Sequence, residues 1–199
     1  MSSSDSTTPG TRVSISLPGH RAPGAGFEAP FDMLEACHER VERMLGLLQK
    51  LRAHVLAHGT DEQGQQAARD IMRYFDQAGP LHHEDEELHV FPALLAQRDP
   101  AVVAVVIRLK QDHREMAEQW KDVRSALDRL VCARVDSDWP GFSDDESVAF
   151  DAYDALYRRH LIDEDGTVYP AAKRCIRDES LAAMSEDMMV RRGVKPLAI

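Results

Sequence analysis

The chain has 199 residues, of which 43% are hydrophobic, enough for one well-packed core rather than for two domains. Its 24 basic and 34 acidic residues give a net charge of −10, which counts against nucleic acid or an anionic membrane as the main partner. The sequence has no apolar run of about 18 residues, no secretory signal pattern and no closely spaced cysteines, so we expect a cytoplasmic protein.

The pattern of apolar residues predicts a helical protein with a polar arm at its start. Residues 1–27 are rich in Ser, Gly and Pro, and we expect them to form a disordered arm. Apolar residues then recur every three or four positions, as in amphipathic helices, over 31–57, 61–93, 100–130 and 149–175. A weaker helical pattern covers residues 179–192. We therefore predict an all-α fold, an antiparallel up-down four-helix bundle over 28–176, with a C-terminal helical tail over 177–199.

Prolines mark the expected ends and interruptions of these helices. Pro100 follows Asp99 and suits the first position of the third helix. Pro80, which follows Gly79, and Pro92 both lie inside the second pattern, and a proline in a helix interior removes a backbone hydrogen bond. We therefore expect kinks or breaks at these two places.

Polar residues interrupt the apolar face of every predicted helix. One histidine falls on each face, namely His38, His82, His113 and His160. Glu86 and Glu164 each follow one of these histidines by four residues, which places each His and Glu pair on one helix face, a turn apart. A single buried histidine is usually satisfied by a backbone carbonyl, but polar groups on every core face indicate a shared ligand.

The two His and Glu pairs belong to an internal repeat. Residues 82–93 and 160–171 align without a gap, and about half of the aligned positions are identical. The pairs that match in kind are Glu87 with Asp165 and Phe91 with Tyr169. The sequence therefore uses one helical hairpin twice, and each hairpin supplies one histidine from its first helix and a His-x-x-x-Glu from its second.

The polar residues also fall at similar heights along the bundle. His38 precedes the turn at Gly59 by about as many residues as His82 follows it, so their heights differ by only about 3 Å. Four imidazoles and two carboxylates related by a pseudo-twofold axis suit two metal ions, one held by His38 and His82, the other by His113 and His160. Both glutamates would bridge. Such ligands suit iron, zinc or manganese, and two irons with a vacant position suit oxygen chemistry.

This pattern resembles the hemerythrin-like family of HHE cation-binding domains over roughly residues 30–176. The resemblance rests on His38, His82-x-x-x-Glu86 before Phe91-Pro92, His113, and His160-x-x-x-Glu164 before Tyr169-Pro170. It implies an up-down four-helix bundle with two iron ions bridged by an oxo or hydroxo group and by Glu86 and Glu164. The family binds dioxygen and, in some members, nitric oxide or peroxide.

The sequence departs from the oxygen-carrying hemerythrins on the third helix. Those proteins place a second histidine four residues after the first, where this chain has Ala117 after His113. One iron should therefore lose a ligand, which argues against reversible oxygen carriage. His89 lies seven residues after His82 and could replace that ligand or donate a proton, but we expect it to orient the ligands from outside the set.

A second His-x-x-x-Glu lies one residue out of phase with the first. His83 and Glu87 form it, but the helical stripe and the repeat favour His82 and Glu86 as ligands. Glu87, like His89, is therefore predicted to support the ligands from outside. We expect His82→Ala or Glu86→Ala to lower the iron content strongly and His83→Ala to leave it unchanged.

Three functions fit such a site. The first is binding or sensing of dioxygen or a related diatomic molecule, and the second is an enzyme that reduces nitric oxide or peroxide. The third is iron storage or homeostasis. A ferritin-like oxidase is disfavoured, because that design needs Glu on two helices and Glu-x-x-His on the other two, and the third helix offers no counterpart to Glu35-x-x-His38.

Overall fold

The computed structural model describes residues 26–135 and 139–194, and within these ranges the chain is helical and has no strand. The helices are α1 Pro30–His58, α2 Glu62–Asp85, α3 Phe91–Gln97, α4 Pro100–Cys132, α5 Asp144–Asp163, α6 Tyr169–Cys175 and α7 Asp178–Arg191. Two π-helical segments, Glu86–Val90 and Glu164–Val168, join α2 to α3 and α5 to α6. The predicted all-α fold is confirmed.

Four long rods form the bundle, because each π-helical segment continues one helix into the next. α1 packs against α2, α2 against α4, α4 against α5, and α5 against α1. The connections after α1 and α3 are short, which makes successive rods antiparallel. Capping fixes the starts of the rods: the Asp61 side chain accepts a hydrogen bond of 2.7 Å from the Gly64 N–H at the start of α2.

The two proline sites in the second rod have different outcomes. α2 continues through Pro80. Of the kink or break expected there, the break is therefore wrong. Buried Phe75 and His82 on either side of Pro80 hold this stretch in the core, and that packing outweighs the missing backbone hydrogen bond. Before Pro92 the helix widens instead, and the Phe91 N–H bonds to the carbonyl of Glu86, five residues back.

The apolar core is divided into two clusters by a polar layer. The larger cluster includes Leu48, Ile71, Leu127 and Tyr153, and the smaller one includes Leu34, Phe91, Leu109 and Val168. Along α1, His38 lies between residues of the smaller and the larger cluster, and His113 does so along α4. The bundle therefore buries a layer of polar side chains between two apolar walls.

The C-terminal helix α7 lies against the bundle. Met184 and Met188 of α7 are fully buried in the smaller apolar cluster. The Ser185 hydroxyl donates a hydrogen bond to the carbonyl of Phe27, which also packs against this cluster. The rest of the arm predicted over residues 1–27 lies outside the described residues. No helix among residues 26–135 and 139–194 has an apolar stretch long enough to cross a bilayer.

Candidate metal centre

The six residues predicted as metal ligands meet in the polar layer. Each rod contributes at least one of them, and both glutamates are the first residues of the π-helical segments. Their exposed fractions are His38 4%, His82 2%, Glu86 0%, His113 5%, His160 1% and Glu164 0%. All six side chains are thus removed from bulk water, in the place that the repeat indicated.

The six residues form two overlapping groups, each with ligand atoms that all lie within 4.8 Å of one another. One group is His38, His82, Glu86 and Glu164, and the other is Glu86, His113, His160 and Glu164. Each group has its own histidine pair, and both contain the same two glutamates. This division matches the pairing of histidines predicted from the sequence.

Glu86 faces both histidine pairs with different oxygens. Its Oε1 lies 3.6 Å from His82 Nε2, and its Oε2 lies 3.5 Å from His113 Nε2. His82 belongs to the first pair and His113 to the second. A carboxylate in this position can give one oxygen to each of two cations.

Glu164 has the same relation to the two pairs from the opposite side of the layer. Its Oε2 lies 3.1 Å from His38 Nε2, and its Oε1 lies 2.9 Å from His160 Nε2. Glu164 and Glu86 are therefore related by the pseudo-twofold axis of the repeat. Both carboxylates have the geometry of bridges between two cation positions.

Several buried atoms of the layer have no hydrogen-bond partner among the described residues. They are both ring nitrogens of His82, Glu86 Oε2, His160 Nδ1 and both carboxylate oxygens of Glu164. In addition, the Nε2 atoms of His113 and His160 lie 3.2 Å apart and face each other. Burying such atoms is costly unless a ligand satisfies them. Imidazole and carboxylate groups are common metal ligands, so the residues fit the cations that the resemblance implies.

Carboxylates orient two of the imidazoles through Nδ1, the ring nitrogen that points away from the layer. His38 Nδ1 lies 2.8 Å from Asp165 Oδ1, and His113 Nδ1 lies 2.9 Å from Glu87 Oε1. In both rings Nδ1 is thus engaged and Nε2 points into the layer, as is usual for metal-ligating histidine. Glu87 takes the supporting position expected for it, whereas Asp165 was not singled out, although the repeat aligns it with Glu87.

Asp112 gives a weaker contact of the same kind to the fourth rod. Its Oδ2 lies 3.6 Å from His160 Nδ1, and its Oδ1 accepts a hydrogen bond of 2.7 Å from Arg159. Asp112 is buried and precedes His113 directly in α4. The sequence reasoning missed it, because the helical stripe pointed only to the neighbouring histidine.

The structure does not bring His89 into the layer. Its Nε2 lies 2.7 Å from Asp187 Oδ2 of α7, and it is not part of either group of candidate ligands. His89 follows Glu86 within the π-helical segment, where the wider turn rotates residues away from the positions of a regular helix. Its place is therefore in the contact between α7 and the second rod.

The carboxylates favour protonated imidazole at two histidines. Burial lowers the pKa of His38, but its hydrogen bond to Asp165 and its close contact with the Glu164 carboxylate outweigh it and raise the pKa to about 10. Burial likewise opposes the charge on His160, but Glu164 and Asp112 outweigh it and raise the pKa of His160 to about 10. In the absence of a cation, these two rings therefore carry protons at neutral pH.

The pKa values of His82 and Glu164 are lowered instead of raised. Burial lowers the pKa of His82 to about 3, since the attraction of the Glu86 carboxylate does not compensate the lost hydration. Burial raises the pKa of the Glu164 carboxyl, but the imidazoles of His160 and His38 outweigh it and leave the pKa well below its ordinary value. A neutral imidazole and an ionised carboxylate are the forms that bind metal.

Tyr169 is a further member of the layer that the sequence reasoning used only as part of a motif. Its hydroxyl donates a hydrogen bond of 2.6 Å to Glu86 Oε1 and lies 2.9 Å from His38 Nε2. Its ring stacks on that of His38, with centroids 5.0 Å apart. Phe91, its counterpart in the repeat, stacks on His113 and has no hydroxyl.

His83 lies at the border of the second histidine pair. A third group of close ligand atoms consists of His83, His113 and His160. The His83 ring stacks on His113 with centroids 4.0 Å apart and 10° between the planes. It also lines a cavity of about 160 Å³, together with Ala117.

Comparison with known proteins agrees with this geometry. Residues 29–187 match the family model of the hemerythrin HHE cation binding domain. An uncharacterized protein of Haemophilus influenzae is 28% identical over 171 residues, which cover 86% of this chain and 94% of that protein.

Proposed function

Since this chain belongs to the hemerythrin HHE cation-binding domain family, we propose that it is a non-haem di-iron protein that binds or senses dioxygen or a related diatomic molecule. The observation that carries the proposal is the double role of the two glutamates. Each faces both histidine pairs, so the six residues can hold two cations side by side. Iron is proposed over zinc or manganese because two adjacent redox-active ions suit a diatomic ligand.

In this proposal each residue has a defined task. His38 and His82 would hold one ion, His113 and His160 the other, and Glu86 and Glu164 would bridge them. Two iron ions, when bound, supply the electrons that bind or reduce a diatomic molecule. The protein orients the imidazoles through Nδ1, with Asp165 on His38 and Glu87 on His113.

The apolar residues around the layer keep water away from it, which suits binding of a diatomic molecule. Apolar side chains of the two core clusters close it from both ends of the bundle. The Tyr169 hydroxyl holds a proton between Glu86 Oε1 and His38 Nε2, and it is fully buried. The cysteines are free thiols, which supports our proposal that the protein works in the reducing cytoplasm.

A second candidate function, an enzyme that reduces nitric oxide or peroxide, is favoured by one observation. Ala117 and His83 line a cavity of about 160 Å³ beside the second histidine pair, with room for a small molecule. Steady consumption of nitric oxide or hydrogen peroxide by the iron-loaded protein would favour the enzyme. An oxygen-dependent absorption band that reverses on deoxygenation would favour the binding protein.

The test of the proposed function combines one variant with one control. We expect Glu86→Ala to reduce bound iron from two ions per chain to one or none, because both cation positions lose a ligand. Glu84→Ala, which changes a half-exposed carboxylate two residues away, should keep two ions. Elemental analysis after anaerobic loading with ferrous iron measures both, and a Glu86→Ala protein that keeps two irons would contradict the proposal.

A further inference from the structure

His82 and His83 point from one helix toward different partners. Successive residues of a helix are about 100° apart, and α2 packs against both α1 and α4. The His82 ring meets His38 of α1, with centroids 5.0 Å apart, while the His83 ring meets His113 of α4 at 4.0 Å. His82 therefore belongs to the first histidine pair, and its neighbour His83 contacts the second.

The ring of His83 is close enough to share a cation with the second pair. One of its nitrogens lies within 4.8 Å of ligand nitrogens of His113 and His160, the same limit that the two main groups meet. Imidazole nitrogen is a common ligand of divalent metal ions.

The fold itself does not require a histidine at this position. In the repeat, His83 corresponds to Leu161, which is buried in the larger apolar cluster. The hairpin thus accepts an apolar residue at this position. The histidine occurs only in the first hairpin, where its ring contacts His113 of α4.

A cavity lies between His83 of α2 and Ala117 of α4. Ala117 follows His113 by one helical turn and lines the same cavity as His83. Its methyl group offers no ligand to an ion at His113 and His160. The His83 imidazole of α2 therefore borders the space that a longer side chain at Ala117 could enter.

We propose that His83 is a metal ligand of the cation held by His113 and His160. That cation then has three imidazoles and the two shared carboxylates, whereas the cation at His38 and His82 has two imidazoles. The inference rests on the proposed function, because it assumes a cation at the second pair. It replaces the expectation from sequence that His83→Ala leaves the metal content unchanged.

Cobalt(II) is a suitable probe, because it accepts the same ligands and shifts the proton resonances of the imidazoles that bind it. We expect His83→Ala to weaken binding of one of two cobalt ions by more than about 100-fold, beyond the 10- to 100-fold that loss of an outer residue costs. The NMR spectrum of the loaded protein should lose one strongly shifted imidazole N–H resonance. His83→Gln, which keeps a planar side chain against His113, should show the same losses if the alanine variant folds poorly.

Two further variants complete the test. His89→Ala, which removes a histidine paired with Asp187 outside the layer, should keep both cobalt affinities. Combining His83→Ala with Ala117→His should restore the weakened affinity, since the new ring enters the same cavity. Unchanged affinities and an unchanged number of shifted resonances in both His83 variants would overturn the proposal.

The outcome separates this proposal from the proposed function. If the unchanged protein binds one cobalt and His83→Ala abolishes that binding, the ligand role of His83 stands and the two-iron function fails. If it binds two and both survive the loss of His83, the two-cation site stands and the ligand role of His83 fails.

Discussion

At the scale of single residues, the layer combines groups that a sequence pattern reveals with groups that it hides. The four histidines and two glutamates could be predicted, because each interrupts an apolar helical stripe. Asp112, Asp165 and Tyr169 contact those ligands but occupy no such position. Their contacts depend on how the rods pack and on the π-helical turn that follows Glu164.

The Tyr169 hydroxyl provides a prediction about one hydrogen bond. Tyr169→Phe keeps the ring on His38 but leaves Glu86 Oε1 without its donor. We expect the metal-free protein to lose about 1–3 kcal/mol of unfolding free energy, the cost of an unsatisfied buried group, while two metal ions still bind. Urea unfolding and elemental analysis measure the two effects. Phe31→Leu changes a ring that packs on Tyr169 without touching the hydroxyl and serves as the control.

The raised pKa values of His38 and His160 predict how metal binding depends on pH. Both values are about 10, so each ring must lose a proton before it ligates a metal at neutral pH. We expect about two protons to be released per loaded chain at pH 7, and the affinity to rise with pH by about tenfold per unit for each proton. Calorimetry in buffers of different ionisation enthalpy counts the protons, and an affinity independent of pH would contradict the assignment.

The same shifts have the opposite effect on the metal-free protein. A pKa raised from the ordinary 6.5 to about 10 adds stability that is complete below about pH 6.5 and disappears as the pH rises toward 10. Metal-free protein should therefore become less stable across this interval, as thermal unfolding at several pH values would show. A rise in stability over the same interval would mean that the two imidazoles are not protonated in the fold.

At the scale of helices, the rods could be predicted from apolar periodicity, but their internal irregularities could not. Pro80 and Pro92 look alike in the sequence, yet α2 runs through the first and a π-helical segment precedes the second. The difference comes from tertiary packing, which local pattern does not contain. The wider turn has a functional consequence, because Glu86 is its first residue and Glu87 behind it reaches His113.

The C-terminal helix was expected to be a tail, and its contacts give a prediction about stability. Asp85, which is fully buried, pairs with Arg191 at 2.5 Å and with Arg192 at 2.6 Å, both near the end of α7. Removing both arginines leaves a buried carboxylate without its partners. We expect Arg191→Ala with Arg192→Ala to cost about 3–5 kcal/mol in urea unfolding.

A compensating substitution distinguishes this charge effect from lost packing. Adding Asp85→Asn to the double variant removes the unpaired charge and should recover part of the loss. Arg174→Ala, which changes an exposed arginine, should change stability by less than about 0.5 kcal/mol. A double variant as stable as the unchanged protein would mean that α7 contributes no charge pairing to the bundle.

At the scale of the whole molecule, the repeated hairpin accounts for the position of the polar layer in the bundle. Two copies of one hairpin, packed antiparallel, bring the same polar positions to one height, and the apolar residues on either side form the two core clusters. The two copies differ at some positions near the metal ligands. In the repeat, Tyr169 corresponds to Phe91, and His83 corresponds to Leu161. The repeat could therefore predict the shared ligands but not the differences between the two cation positions.

The central claim is that this layer holds two iron ions, and metal content tests it most directly. The measurement is elemental analysis of tag-free protein purified from cells without added metal, expressed as ions per chain. The account predicts two irons per chain, and their removal by a chelator should lower the melting temperature, because the ions bind only the folded layer. One zinc ion per chain, or no metal after loading with ferrous iron, would contradict it.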